Sequence, residues 1–149
     1  MKDLAKLFKD NREELTAWVP FGDFKIELIY TDRRELQRML NNSRKREYDP
    51  KTHQPVDVLK DELFAKQLAS KVKSWRGLTL GKLARLTNID IGKDSPDKKV
   101  PCTEANKIAL IDEVYGLPGF IREVMTDIEQ FREKKVAAES KNSDASQDG

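Results

Sequence analysis

Between Leu59 and Trp75 the apolar residues recur every three to five positions: Leu59, Leu63, Phe64, Leu68, Val72 and Trp75. No other stretch of this chain constrains the fold as strongly. Apolar residues at that spacing line one side of an α-helix, and lysines and acids fill the opposite side. The spacing predicts a single long helix over Asp57–Trp75, with Gly77 as its stop. A face of that length needs partners, and the rest of the chain offers several. Leu4, Leu7, Phe8 and Leu15 suggest a short amphipathic helix within residues 2–15. Leu36, Met39 and Leu40 mark the buried side of a helix that starts after Thr31 or Asp32, with Glu35 placed to complete a capping box. Leu80, Leu83, Leu86 and Ile89 fit a further helix ending near Asn88. Thr103 can cap a helix carrying Ile108, Ile111 and Tyr115, which Gly116 would stop. Pro118 suits the first turn of a last helix bearing Phe120, Ile121, Val124, Met125, Ile128 and Phe131.

One segment breaks the helical rhythm. Phe24, Ile26 and Leu28 alternate with Lys25 and Glu27, the period of a half-buried strand. Gly22-Asp23 precedes it and Trp18-Val19-Pro20-Phe21 lies before the turn, so residues 18–30 read as a β-hairpin. A lone hairpin is marginal in water and must pack on helices or on another chain. The expected fold is therefore mainly α (α+β): one helical domain over residues 1–138 with a small N-terminal hairpin. The residues from Glu139 to Gly149 are polar throughout and are expected to be a disordered tail.

Charge and chemistry narrow the function. The chain has 149 residues with a net charge of +2, and 36% of its residues are charged. No apolar run approaches the ~18 residues of a membrane span. The first residues lead into charges rather than an apolar signal region. Cys102 is the only cysteine, which excludes an intrachain disulfide, and a cytoplasmic location is expected. His53 stands alone in a loop framed by Pro50 and Pro55, where zinc would need several converging donors. There is no glycine-rich phosphate loop, nucleophile motif or acid–base constellation. The expectation is a non-catalytic protein with no catalytic residues, no cofactor and no metal.

Two features bear on nucleic acid. Arg33, Arg34, Arg38, Arg44, Lys45 and Arg46 crowd into fourteen residues with one acid, Glu35. Such a patch meets phosphates or an acidic partner, but a solvated helix face is the simpler reading. Residues 78–91 also look like the first helix and turn of a helix-turn-helix, with Asn88 at the left-handed position. A recognition helix must follow at once, and Gly92-Lys93-Asp94-Ser95-Pro96-Asp97 does not supply one. A small DNA-binding phage regulator is thus the alternative, and nucleic acid is not the expected partner.

The segment from Lys66 to Phe131 resembles the tail assembly chaperones of long-tailed phages. The resemblance rests on Val72-Lys73-Ser74-Trp75-Arg76-Gly77-Leu78-Thr79, on Val100-Pro101-Cys102-Thr103-Glu104-Ala105-Asn106-Lys107-Ile108-Ala109-Leu110-Ile111, and on Phe120-Ile121 and Phe131 in the closing helix. It spans a little under half of the chain. Ala105 between Glu104 and Asn106 departs from the pattern, as does the length of the Leu80–Ile91 insert. The resemblance implies a protein that coats the tape measure protein and recruits tail tube subunits during assembly, and a gene that in many phages also yields a longer frameshifted product. On this reading Trp75, Leu78, Phe120, Val124 and Phe131 are the candidate partner-binding residues. A homo-oligomer built on the hairpin's free strand edges is also expected.

Overall fold

The computed structural model describes residues 3–10 and 12–135. Helix α1 (Leu4–Asp10) buries none of its residues. Strands β1 (Thr16–Phe21) and β2 (Phe24–Ile29) form the expected hairpin, paired from Thr16↔Ile29 to Phe21↔Phe24. Gly22 turns the chain at φ +56°, a conformation glycine adopts without steric cost. Helix α2 (Arg33–Asn42) starts at Asp32, whose carboxylate accepts from the Glu35 amide at 2.8 Å. Strands β3 (Arg44–Tyr48) and β4 (Pro55–Leu59) follow, then α3 (Asp61–Ala69), β5 (Val72–Arg76), α4 (Leu80–Thr87), α5 (Glu104–Glu113) and α6 (Leu117–Met125). Residues 128–135 are helical again after a break at Thr126-Asp127.

This corrects the expectation of a mainly helical domain with one small hairpin. Among the described residues, five strands make two antiparallel sheets, one of three strands in the order β1-β2-β5 and one of two, β3-β4. The described residues are 46% helical and 22% strand, an α+β fold. The long Asp57–Trp75 helix is also corrected. Only Asp61–Ala69 is helical, and β4 and β5 occupy its two ends.

The cause of that misreading lies in the β2–β5 pairing. Leu28 faces Val72 while Glu27 faces Ser74, so β5 carries one extra residue, Lys73, at a bulge. Strict alternation would send Val72 and Trp75 to opposite faces of the sheet. The bulge resets the phase, and both are buried. Two core residues three apart are also what a helix would show, so the apolar spacing ran on past the real end of α3.

The three-stranded sheet has a dry face and a wet face. Ala17, Val19, Phe24, Ile26, Leu28, Val72 and Trp75 are buried on the dry side. On the other side the Arg76 guanidinium lies 4.6 Å from the Trp18 ring centroid. Helix α3 packs on α5, and α6 packs on β2. Leu68, Ile121, Met125 and Phe131 are fully enclosed between these layers. Burying each such side chain stabilises the fold by about 1.5–3 kcal/mol. Thr31 links sheet to helix: its amide donates to the Met125 carbonyl at 2.7 Å and its hydroxyl to Ile29 O at 3.2 Å. No helix among the described residues is long and apolar enough to cross a membrane.

Candidate functional site

The two segments that carry the family resemblance are more than twenty residues apart, yet they fold into one unit. Trp75 stands on β5, and its indole Nε1–H donates to the Val100 carbonyl at 2.8 Å. The chain leaving β5 turns at Gly77 (φ +81°) and runs beside the returning segment. Val100 N donates to Leu78 O at 3.0 Å, Leu80 N to Lys98 O at 2.9 Å, and Thr79 bridges Lys99. Helix α4 then begins, capped by Thr79 through the Lys82 amide at 3.3 Å. Gly81 sits so close to the loop that a Cβ there would lie 3.0 Å from the Cβ of Pro96. Helix α5 is capped by Thr103 through the Asn106 amide, and the Asn106 side chain donates back to Pro101 O at 2.9 Å.

Between α4 and α5 these elements leave an open groove of about 240 Å³. Trp75, Leu83, Ile89, Val100, Ala109 and Leu110 make it apolar, and Thr87, Asn106 and Glu113 add polar groups. Ile89, at its rim, is exposed. Cys102, next along the chain from Pro101, is half-buried; burial pushes its thiol up, against the opposing pull of Lys107. Helix-in-groove docking needs an apolar trough with a few polar groups to fix register, and this groove has that composition.

The residues expected to touch a partner are placed differently. Trp75, Leu78, Val124 and Phe131 belong to a single buried cluster, and Phe120 packs against it. Phe131 meets Tyr30 edge-on at 5.6 Å, and Phe120 lies 5.0 Å from Phe21. Of the five, Trp75 alone lines the groove. Trp75 is buried, as its apolar spacing implied, but it stands on a strand rather than at a helix end.

Exposed apolar side chains lie elsewhere: Leu4, Leu7 and Phe8 on α1, Tyr48, Val56 and Leu59 on β3 and β4, and Tyr115 before α6. The signal for the second hairpin was present in the sequence. Asp49-Pro50 punctuates a turn, and Val56 and Val58 alternate with Asp57.

Other sequence features resolve plainly. Asn88 closes α4 in the left-handed conformation, at φ 57°, as a helix-turn-helix would need. No helix lies between Thr87 and Glu104, however, where a recognition helix would sit. The basic residues divide between α2 (Arg33, Arg34, Arg38) and β3 (Arg44, Lys45, Arg46). His53 is exposed, and no cluster of three or more potential metal ligands forms among the described residues. The polar tail from Glu139 lies outside the described residues. Compared with known proteins, the chain matches no protein-family model, no curated protein and no solved structure.

Proposed function

We propose that this protein is a phage tail assembly chaperone that keeps the tape measure protein soluble and passes it to tail tube subunits. One observation supports this most directly. The Trp75–Thr79 and Val100–Ile111 segments, on which the resemblance rests, converge through the Trp75–Val100 hydrogen bond and border one apolar groove. A long helical client presents apolar stripes along its length, and a small groove engages one short piece of such a stripe. Several copies on one client hold it by avidity while each contact stays weak enough to release. Self-association belongs to the same proposal. The outer edge of β1 is open to a second chain, although Pro20 removes one donor from that strand. Light scattering that finds a clean monomer at high concentration removes this part.

The test is co-expression with the tape measure protein of the same phage. The client is expected to be soluble and recoverable in a complex only when this chain is present. A groove variant, Leu83→Glu with Ala109→Glu, is expected to lose the complex while keeping its fold. A tape measure protein that is equally soluble alone, with no complex recovered, removes the proposal.

A further inference from the structure

Strands β3 and β4 form an arm that contributes almost nothing to the core. Only Val58 among their ten residues is half-buried, and the rest are exposed. The base of the arm is firmly held. The Ser43 hydroxyl, fully buried, donates to Met39 O at 2.7 Å, and the Lys60 amide donates to Ser43 O at 2.9 Å. The arm therefore projects in a fixed direction from the end of α2. A two-stranded ribbon is marginal on its own, and this one is not rescued by burial. Its side chains are left free to face a partner.

Directly opposed residues of an antiparallel pair share a face. Arg44, Arg46 and Tyr48 thus lie on one face with Leu59, Asp57 and Pro55. Val58 is on the other face and turns that side toward the body of the protein. Tyr48 is 76% exposed and Leu59 40%. Among the described residues, Arg33, Arg34, Arg38, Arg44, Lys45 and Arg46 make no ion pair, while Glu47 is matched by Lys60 and Glu35 by Lys71. Residues 33–60 hold eight basic and four acidic side chains, a surplus of +4 in a chain whose total is +2.

We infer that this arm is a docking surface for an acidic amphipathic helix of another protein. The inference rests on the chaperone reading and names the chemistry of its client. Charge complementarity selects an acidic partner. Spacing fits a helix: Arg44 and Arg46 are two residues apart on a strand, about 6.6 Å, close to the ~6 Å rise between positions i and i+4 of a helix. Tyr48 and Leu59 then meet apolar residues lying between the client's carboxylates. Tyr48, Pro55 and Leu59 give that face an exposed apolar part, which an amphipathic helix covers and a phosphate backbone leaves unmatched. That composition favours protein over nucleic acid.

The test uses the full chain and the double variant Arg44→Glu/Arg46→Glu. Both are titrated by fluorescence anisotropy with a labelled amphipathic peptide carrying Glu at i, i+4 positions and Leu between them, with its Glu→Gln twin, and with a random duplex DNA. The wild type is expected to bind the Glu peptide with an affinity that falls as salt is added. The double variant is expected to bind about tenfold more weakly, as is the Gln twin. Tyr48→Ala is expected to weaken binding without changing its salt dependence. If the charge reversal disturbs the fold by circular dichroism, Arg44→Gln/Arg46→Gln replaces it. Equal binding by wild type and variant overturns the inference, as does no binding at all. DNA bound more tightly than the peptide assigns the arm to nucleic acid. A dimer that the reversal dissolves in sedimentation assigns it to a second copy. Either result also overturns the inference. The same variant in the tape measure co-expression separates the two ideas. A client kept soluble equally by wild type and variant overturns the arm and leaves the chaperone reading standing. A client soluble alone removes that reading and leaves the titration to decide the arm.

Discussion

Replacing Trp75 tests the junction most directly, because the residue makes two separable contributions. The residue is 9% exposed and belongs to the central cluster, and its Nε1–H satisfies the Val100 carbonyl at 2.8 Å. Trp75→Ala removes both. Truncating a core tryptophan costs about 3–5 kcal/mol. Here the ring borders an open groove, so the space left behind is wetted rather than empty, and the low end, about 3 kcal/mol, is expected. Trp75→Phe retains most of the apolar surface and deletes the donor. The Val100 carbonyl then relies on water from the groove, at a cost of about 1–2 kcal/mol. Urea unfolding followed by far-ultraviolet circular dichroism measures both, with an unchanged denaturant slope showing that the unfolded reference is the same. Two results would refute the reasoning: a loss below about 1 kcal/mol for the alanine variant, or equal losses for alanine and phenylalanine.

Further expectations follow from single contacts. Gly81→Ala places a Cβ 3.0 Å from Pro96 Cβ and 3.1 Å from its carbonyl oxygen; the loop must shift, costing about 1–2 kcal/mol net of the helix-propensity gain, and tryptic cleavage at Lys93, Lys98 or Lys99 is expected to accelerate. Phe131→Ala, at a fully buried site against Tyr30, is expected to cost about 3–5 kcal/mol in the same urea assay; a near-neutral result would detach the 128–135 helix from the core. The Cys102 thiol is held above its ordinary 9.0 by burial. The folded state keeps that proton longer than the unfolded one, so the thiol's contribution to stability is intact below pH 9.0 and is lost as pH rises through the folded value. Relative to Cys102→Ser, the wild type is expected to lose stability only on that alkaline side, and iodoacetamide is expected to alkylate the native thiol more slowly than the urea-unfolded one.

Local chemistry was legible in the sequence wherever one residue type had one job. Gly22-Asp23 turned the hairpin, Thr103 capped α5, Asn88 took the left-handed end of α4, and Gly116 separated α5 from α6 at φ 82°. Of the two cap candidates for α2, Asp32 rather than Thr31 took the role, and the Glu35 carboxylate pairs with Lys71 instead of closing a capping box. Periodicity failed where tertiary pairing changed the phase. Val72 and Trp75 look helical only because a bulge at Lys73 lets a strand bury residues three apart. Strand β3 was missed for the opposite reason: with no core to face, Arg44–Tyr48 shows no apolar alternation, and a basic run reads equally well as a helix surface; β4, although Val56 and Val58 alternate with Asp57, was absorbed into the helical spacing that begins at Leu59. For the candidate site, the sequence pointed to Trp75 and to the Val100–Ile111 segment. It could not show that a strand-like pairing of residues 78–80 with 98–100 joins them, since that pairing is set by backbone groups every residue has.

The order of strands in the main sheet bears on how the chain reaches this fold. Hairpin β1–β2 is local and can form within microseconds, but two strands alone are marginal, so it persists only once β5 arrives. Between Leu28 and its partner Val72 lie α2, the projecting arm and α3. The loop that β5 must close therefore contains the arm in full. The entropy of closing a loop grows only with the logarithm of its length. Removing or adding a handful of residues at the turn between Tyr48 and Pro55 changes that term by roughly 0.1–0.2 kcal/mol. The arm, almost wholly exposed, is thus a part whose length the folding reaction scarcely registers, and its reach can change with almost no change in folding rate.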